Sequence, residues 1–304
     1  MEDVTDTAFR RIVGYCSRPD VYFTEFTSTD GLFSEGRSRV IHRLDYTEEE
    51  RPLVAQIWGN KPENYYKAGK LLKEMKFDGI DINMGCPVPK IVKKGGCSAL
   101  IDNPGLAKEL YLAVKEGSGL PVSIKTRLGF KELKTEEWVR FILDLNPAAL
   151  ILHGRLAKDM SKKPANWDEI AKASKIKKEL QSDTVLIGNG DVRSYNEILE
   201  KTEKYNVDGV MIGRGIFENL YLFSEDKNYH DLELKDKFKL LNKHLDLFSK
   251  RWGSNRKFSV MKKFFGIYIR DFKDASELRI KLMESKTIPE AQEILNNKLE
   301  EIGI

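Results

Sequence analysis

Seven short runs rich in β-branched and aromatic residues punctuate the chain, each followed by a stretch with apolar residues at helical spacing. The runs are VYFTEF from Val21, PLVAQIWG from Pro52, GIDINMG from Gly79, PVSIKTRL from Pro121, AALILHGR from Ala148, TVLIGNGD from Thr184 and GVMIGRG from Gly209. The intervening helical segments are read at Pro62 to Met75, Leu106 to Lys115, Glu136 to Leu145, Trp167 to Leu180 and Ser194 to Tyr205. Strands that alternate with helices in this rhythm feed a parallel sheet, because parallel neighbours need a crossover long enough to hold a helix. Seven strands are one short of a closed (β/α)8 TIM barrel, and a doubly wound open sheet is the alternative. In each of the last five runs the polar and glycine residues gather at the C-terminal end. An open sheet would concentrate them at one switch point, so their spread favours the barrel, an α/β fold whose site lies at the carboxyl rim.

After about residue 230 the strand signal stops, and segments such as KFKLLNKHLDLFSKRW and KLEEI are helical in pattern. Two domains are therefore expected, an α/β barrel over 1–230 and a small all-helical module over 231–304. The length of 304 residues agrees, since a barrel takes about 250. The net charge of +4 hides an asymmetry: residues 235–274 hold 12 Lys or Arg against 4 Asp or Glu, which makes that window +8 and the remainder −4. Such a window suits a polyanion, and it equally suits a solvated helix face. Cys16, Cys86 and Cys97 contain no C-x-x-C pair, so neither a disulfide framework nor a zinc site is expected. The chain has no run of eighteen apolar residues, and it opens on MEDVTDTAFRR, acidic where a signal peptide is basic and then apolar. A cytoplasmic, monomeric protein with neither metal nor membrane anchor is the expectation.

Side chains two apart on a strand share a face, so parity separates the mouth of a barrel from its helix-facing side. With Val122, Ile124, Leu150 and Leu152 facing the helices, Ser123, Lys125, Arg127, His153 and Arg155 turn inward. The same rule turns Gln56, Asp81 and Asn83 inward. Taken singly, Lys125 is as well read as an ion-pair partner, His153 as a core histidine, and Gln56 and Asn83 as caps on backbone groups. Convergence from four strands favours a functional reading. GNGD at 188–191 and GRG at 213–215 add glycines and backbone amides after the last two strands, where barrels hold phosphate, with Arg214 as a charge-assisted partner. Glycine-rich turns also simply permit tight packing.

The segment NMGCPVPKIVKKGGCSAL, from Asn83 to Leu100, is the most specific in the chain. It resembles the N-x-G-C-P-x-x-x-V-x-x-x-G-x-x-A-L signature of tRNA-dihydrouridine synthases. MEDVTDTAFR, TEF, AQIWG, SIKTRLG, LHGR, GNGD and MIGRG resemble that family's other motifs in order and spacing, up to about residue 225. The resemblance implies FMN held by Gln56, Lys125, His153, Asn189, Gly190, Asp191, Gly213 and Arg214, with NADPH or NADH as reductant. It implies Cys86 as the acid that protonates C5 of a tRNA uridine; Lys125 suits the negative charge that appears on reduced flavin, and His153 either assists that role or binds the phosphate. Asn83 and Arg155 are the candidates for holding the substrate base. Lys250, Arg251, Arg256 and Lys257 on the basic module are the candidates for gripping tRNA. Cys97 is a rival acid, but the family carries a small residue there, which points to loop packing.

One departure matters. The family's opening includes a first strand ending in A-P-M, and this chain begins at that methionine. A sheet lacking that strand, with two exposed edges, is therefore expected, and residues upstream of Met1 with it. Two further readings stand beside the synthase. One is a flavin barrel acting on a small pyrimidine or enone, like dihydroorotate dehydrogenase. The other is a catalytically silent tRNA-binding protein.

Overall fold

A computed structural model describes residues 1, 3–301 and 303; Glu2 of the opening motif and Ile302 of KLEEI lie outside the described residues. Its sheet is wholly parallel and contains β1 (Tyr22–Phe23), β2 (Thr27–Ser28), β3 (Leu53–Trp58), β4 (Gly79–Asn83), β5 (Val122–Arg127), β6 (Ala149–His153), β7 (Val185–Asn189) and β8 (Gly209–Met211). The order is β1-β3-β4-β5-β6-β7-β8, with β2 on the same edge of β3 as β1. These are seven strand positions, one per sequence run, forming a half-barrel. It is open: among the described residues β8 pairs with β7 alone and β1 with β3 alone.

The first run departs from its reading as one continuous strand. Between β1 and β2 the Gln56 amide donates to the hydroxyl of Thr24 at 3.0 Å, so a side chain replaces a rung of the ladder. Glu25, fully buried, turns away to accept from the Val4 amide at 2.9 Å.

The helices fall where the spacing placed them, at Pro62–Glu74, Pro104–Ser118, Thr135–Asp144, Trp167–Glu179 and Tyr195–Tyr205. Their starts follow from local chemistry. Proline opens the first two, and Asn103, Asn166 and Ser194 accept from amides of the first turn. The sheet buries Ile80, Ile82, Ile124, Leu150, Leu152 and Leu186 against these helices. Burying such a side chain contributes about 1.5–3 kcal/mol. Gly117 lets the first two helices touch, since a Cβ there would stand 2.2 Å from the Tyr66 carbonyl.

Two compact units result, Met1–Val4 with Asp20–Gly215 and Thr5–Pro19 with Ile216–Ile304. The boundary thus lies at 215/216 instead of 230/231, and the helix Thr7–Cys16 joins the helical unit, built on Leu234–Trp252, Ala275–Glu284 and Ile288–Glu301. The reason is a buried polar knot. Asp6 caps the helix Thr7–Cys16 by accepting from Phe9 N at 3.0 Å. It also accepts from Trp252 Nε1 at 3.0 Å and Arg256 at 2.8 Å, with only 5% of its side chain exposed. Removing one partner of a buried ion pair strands the other charge, at about 3–5 kcal/mol. Asp6→Ala is therefore expected to cut amide protection in the helices Thr7–Cys16 and Leu234–Trp252 by about two orders of magnitude. Hydrogen exchange unchanged from the parent protein would show that the knot is not what ties this helix in.

Candidate active site

The carboxyl ends of β3 to β7 carry the polar side chains. In-register pairing sets Gln56, Asp81 and Ser123 side by side on adjacent strands. One step further along, Asn83 stands beside Lys125 and His153 lies between Arg127 and Asn189. Their parity is as the sequence indicated, because Ile82, Ile124 and Leu152 occupy the opposite face in the core.

Lys125 Nζ donates to Asn189 Oδ1 at 2.9 Å, and Asn189 Nδ2 donates to the Met211 carbonyl at 2.8 Å, which ties β5, β7 and β8 together. Burial lowers the Lys125 pKa to about 8; the charges of Asp81 and Cys86 oppose the shift, and Arg127 adds to it. His153 is pushed down to about 2, first by burial and then by Lys125, Arg127, Arg155 and Arg214 around it. Its ring is neutral at any working pH. Arg155 lies 3.1 Å from His153 Nε2. A guanidinium can only donate, so that nitrogen accepts and the ring proton sits on Nδ1.

Cys86 stands on the turn after β4, half-buried. Asn83 Oδ1 accepts from the amides of Gly85 and Cys86 at 3.1 and 3.0 Å. Arg127 Nε donates to the Gly85 carbonyl at 2.8 Å, and its NH1 reaches the carbonyls of Leu156 and Met160 at 3.0 and 2.8 Å. One guanidinium therefore fastens the thiol turn to the loop after β6. Parity had turned Arg127 inward without giving it a task. Burial, then the nearby Arg155, brings its pKa down to about 10, and it stays charged. Cys97 lies eleven residues on, wholly buried in the turn Cys97–Asp102. All three cysteines are thiols. Among the described residues no group of three or more His, Cys, Asp or Glu could hold a metal ion, and no helix is long and apolar enough to cross a membrane.

A family model for dihydrouridine synthases matches residues 1–302. The chain belongs to the dihydrouridine synthase family. This is a family of oxidoreductases. Among its relatives is a Bacillus subtilis (strain 168) protein, named probable tRNA-dihydrouridine synthase 2, that is 45% identical over 303 residues and covers 98% of this chain and 91% of the relative. A Staphylococcus aureus (strain MRSA252) protein, named probable tRNA-dihydrouridine synthase, is 44% identical over 299 residues, 97% of this chain and 90% of the relative.

Several residues expected to touch ligand in this dihydrouridine synthase fold are committed to other partners. Arg155, 6% exposed, makes two bonds to the Asp191 carboxylate at 2.7 and 2.5 Å and also bonds the Lys163 carbonyl. Burial alone would raise the Asp191 carboxyl, but Arg155 and the Ala165 amide hold it below the usual range. Arg155, expected to hold the base, thus has its NH2 engaged by the Asp191 carboxylate. Gly190 gives its carbonyl to Trp167 Nε1 at 3.0 Å. Gly213 meets nothing within 4 Å where a Cβ would project, and the Arg214 beside it is exposed. GRG opens only a short turn, Arg214–Phe217.

On the helical unit Lys250, Arg251 and Lys257 are exposed, as proposed phosphate contacts must be. Arg256 is not available in that way, because its guanidinium serves the buried Asp6. Phe248, Trp252, Phe264 and Phe265 are buried and pack the unit instead of offering platforms for bases.

Proposed function

We propose that the protein is a flavin-dependent tRNA-dihydrouridine synthase that reduces the C5=C6 bond of a D-loop uridine, acting as a cytoplasmic monomer. The observation that carries this reading is the cationic mouth formed by Lys125, Arg127, Arg155 and Arg214 around the neutral His153, with the Cys86 thiol on its rim. Relatives at 44–45% identity that bear the synthase name support it.

FMN fits the residues present. Among the described residues the four cations face three carboxylates, Asp191 paired with Arg155, Asp81 near Lys125 and Asp159 near Arg127, so cations are in excess. An anion is welcome there. The open space at Gly213 leaves room for close approach of a phosphate beside Arg214. Gln56, Lys125, His153 and Asn189 would hold the ring system. When bound and reduced, FMN supplies the hydride that C6 of uracil accepts, and NADPH or NADH restores it.

The chain's own residues supply the rest. Cys86 holds the proton for C5: its S–H bond breaks as the new C–H bond forms, and a thiolate is left. Lys125 and Arg127 stabilise that thiolate, for the same interaction by which a charge on Cys86 raises both their pKa values acts in the opposite sense on sulfur. Solvent then returns a proton to the thiolate. Asn83 offers the second hydrogen of its amide to a carbonyl of the ring. Drawing a stacked uracil into the mouth costs a few kcal/mol, which phosphate contacts from Lys250, Arg251 and Lys257 offset.

The test is to incubate the purified protein with unmodified tRNA and NADPH and to measure dihydrouridine by mass spectrometry, with flavin absorbance recorded beforehand. Flavin together with dihydrouridine is the expected result. A colourless protein that leaves tRNA unchanged would refute the reading. With roughly four phosphate contacts, tRNA affinity should fall about 10²-fold between 50 and 200 mM salt. K250A/R251A/K257A should flatten that dependence; an unaltered slope would move the RNA grip elsewhere.

A further inference from the structure

Behind the mouth a run of hydrogen bonds crosses three strands and ends at the turn that carries Cys86. Ser123 Oγ donates to Asp81 Oδ1 at 2.7 Å, and Gln56 Nε2 donates to Asp81 Oδ2 at 2.8 Å. Asn83 Nδ2 donates to Gln56 Oε1 at 3.0 Å, while Asn83 Oδ1 accepts from the Gly85 and Cys86 amides at 3.1 and 3.0 Å. Asp81 is fully buried, and Ser123, Gln56 and Asn83 are each 7% exposed, so solvent offers few alternative partners.

Burial raises the Asp81 pKa, and the bonds from Ser123 and Gln56 and the charge of Lys125 oppose that rise; as a carboxylate Asp81 only accepts, and this dictates the direction of everything that follows it. Gln56 must turn its NH2 toward Asp81 and hence its carbonyl toward Asn83. Asn83 must then turn its NH2 toward Gln56 and its carbonyl toward the two backbone amides. If Asn83 faced the other way, donors would meet donors and two amides of the turn would lose their acceptor. We infer that Asp81 is a positioning residue: its carboxylate, acting through Gln56 and Asn83, sets which end of the Asn83 amide meets the Gly85–Cys86 turn and so fixes the backbone bearing the thiol. The consequence for proton transfer rests on Cys86 being the acid; the positioning itself does not.

A swap of charge tests the direction of the run. In N83D, two carboxylates compete for the single NH2 of Gln56; the carboxylate at position 83 can still accept from the turn amides, but it faces either the Gln56 carbonyl or the charge of Asp81, so the turn is held less firmly. In D81N the run can point either way. In D81N/N83D it is satisfied in reverse: Gln56 donates toward position 83 and accepts from the amide at position 81, whose carbonyl accepts from Ser123. Exchange of the Gly85 and Cys86 amides in the flavin-loaded protein should rise about tenfold in D81N and more in N83D, then return to within about threefold of wild type in the double variant. Alkylation of Cys86 by iodoacetamide should follow the same order. S123A, which keeps the carboxylate, should leave exchange near the wild-type rate, and this comparison with D81N stands even if N83D does not fold. Kinetically, D81N should lower kcat about tenfold while KM for tRNA holds.

Unchanged exchange in D81N, equal effects of D81N and S123A, or a double variant as loose as its parts combined would each overturn the proposal. None of the exchange readouts needs tRNA. A Cys86→Ala protein that still makes dihydrouridine would therefore remove the acid assignment while leaving the positioning result standing.

Discussion

Cys86→Ala should lower dihydrouridine formation about 10²–10⁴-fold, the range that a positioned general acid supplies, while flavin content and NADPH oxidation stay near wild type. The separation follows from where the residue stands. Cys86 contributes only its thiol to the mouth, and its backbone is held independently by Asn83 and by the bond from Ser98 N to the Cys86 carbonyl at 3.3 Å. Losing one sulfur atom leaves Lys125, Asn189 and His153 in place. Cys97→Ser is the control, because Cys97 is fully buried: activity should persist, with some loss of stability from a hydroxyl in a packed site. Dihydrouridine formation that survived Cys86→Ala and vanished in Cys97→Ser would exchange the two roles.

Lys125→Met should remove most bound flavin and lower turnover about 10²-fold. The lysine is the cation that bridges β5 to β7 through Asn189, and methionine matches its stem but carries neither charge nor donor. A pH signature goes with it. Lys125 is charged below its pKa of about 8 and neutral above it, so in the wild type flavin affinity should be full below that value and fall as pH rises through it. The variant should show no such alkaline limb. Stability of the flavin-free protein runs the other way. The folded pKa lies below the ordinary lysine value of 10.5, so burying the charge is unfavourable at low pH, and this cost is relieved between about 8 and 10.5. Titration of flavin fluorescence and denaturant unfolding over pH 7–10.5 check both signs; a wild-type affinity flat across pH 8 would mean that Lys125 is not the cation concerned.

Much of the architecture is legible in the sequence, for a physical reason. Strand and helix periodicities are local, so GIDINMG and PVSIKTRL announced β4 and β5, and proline and asparagine marked where the helices begin. Parity did the same for the mouth, since a residue two positions from a known core residue has little choice of face. The first run was misread as continuous because Thr24 takes its place in the ladder through a hydroxyl, and that bond depends on Gln56, 32 residues away. The limit of the helical unit was missed likewise: Thr7–Cys16 looks like any first helix until Trp252 and Arg256 close on Asp6.

The site divides along the same line. Sequence alone determined that a thiol, a lysine, a histidine and several amides stand at the carboxyl ends of parallel strands, because side-chain alternation and motif spacing are properties of the chain itself. Only tertiary structure decided which of those groups remain open to a ligand. Arg155 and Arg256 carry the right charge, yet each is taken by a carboxylate from a distant part of the chain, and Arg127, given no task by its position, joins two loops. A buried charge must find its partner wherever the fold brings one, and sequence distance does not encode that choice.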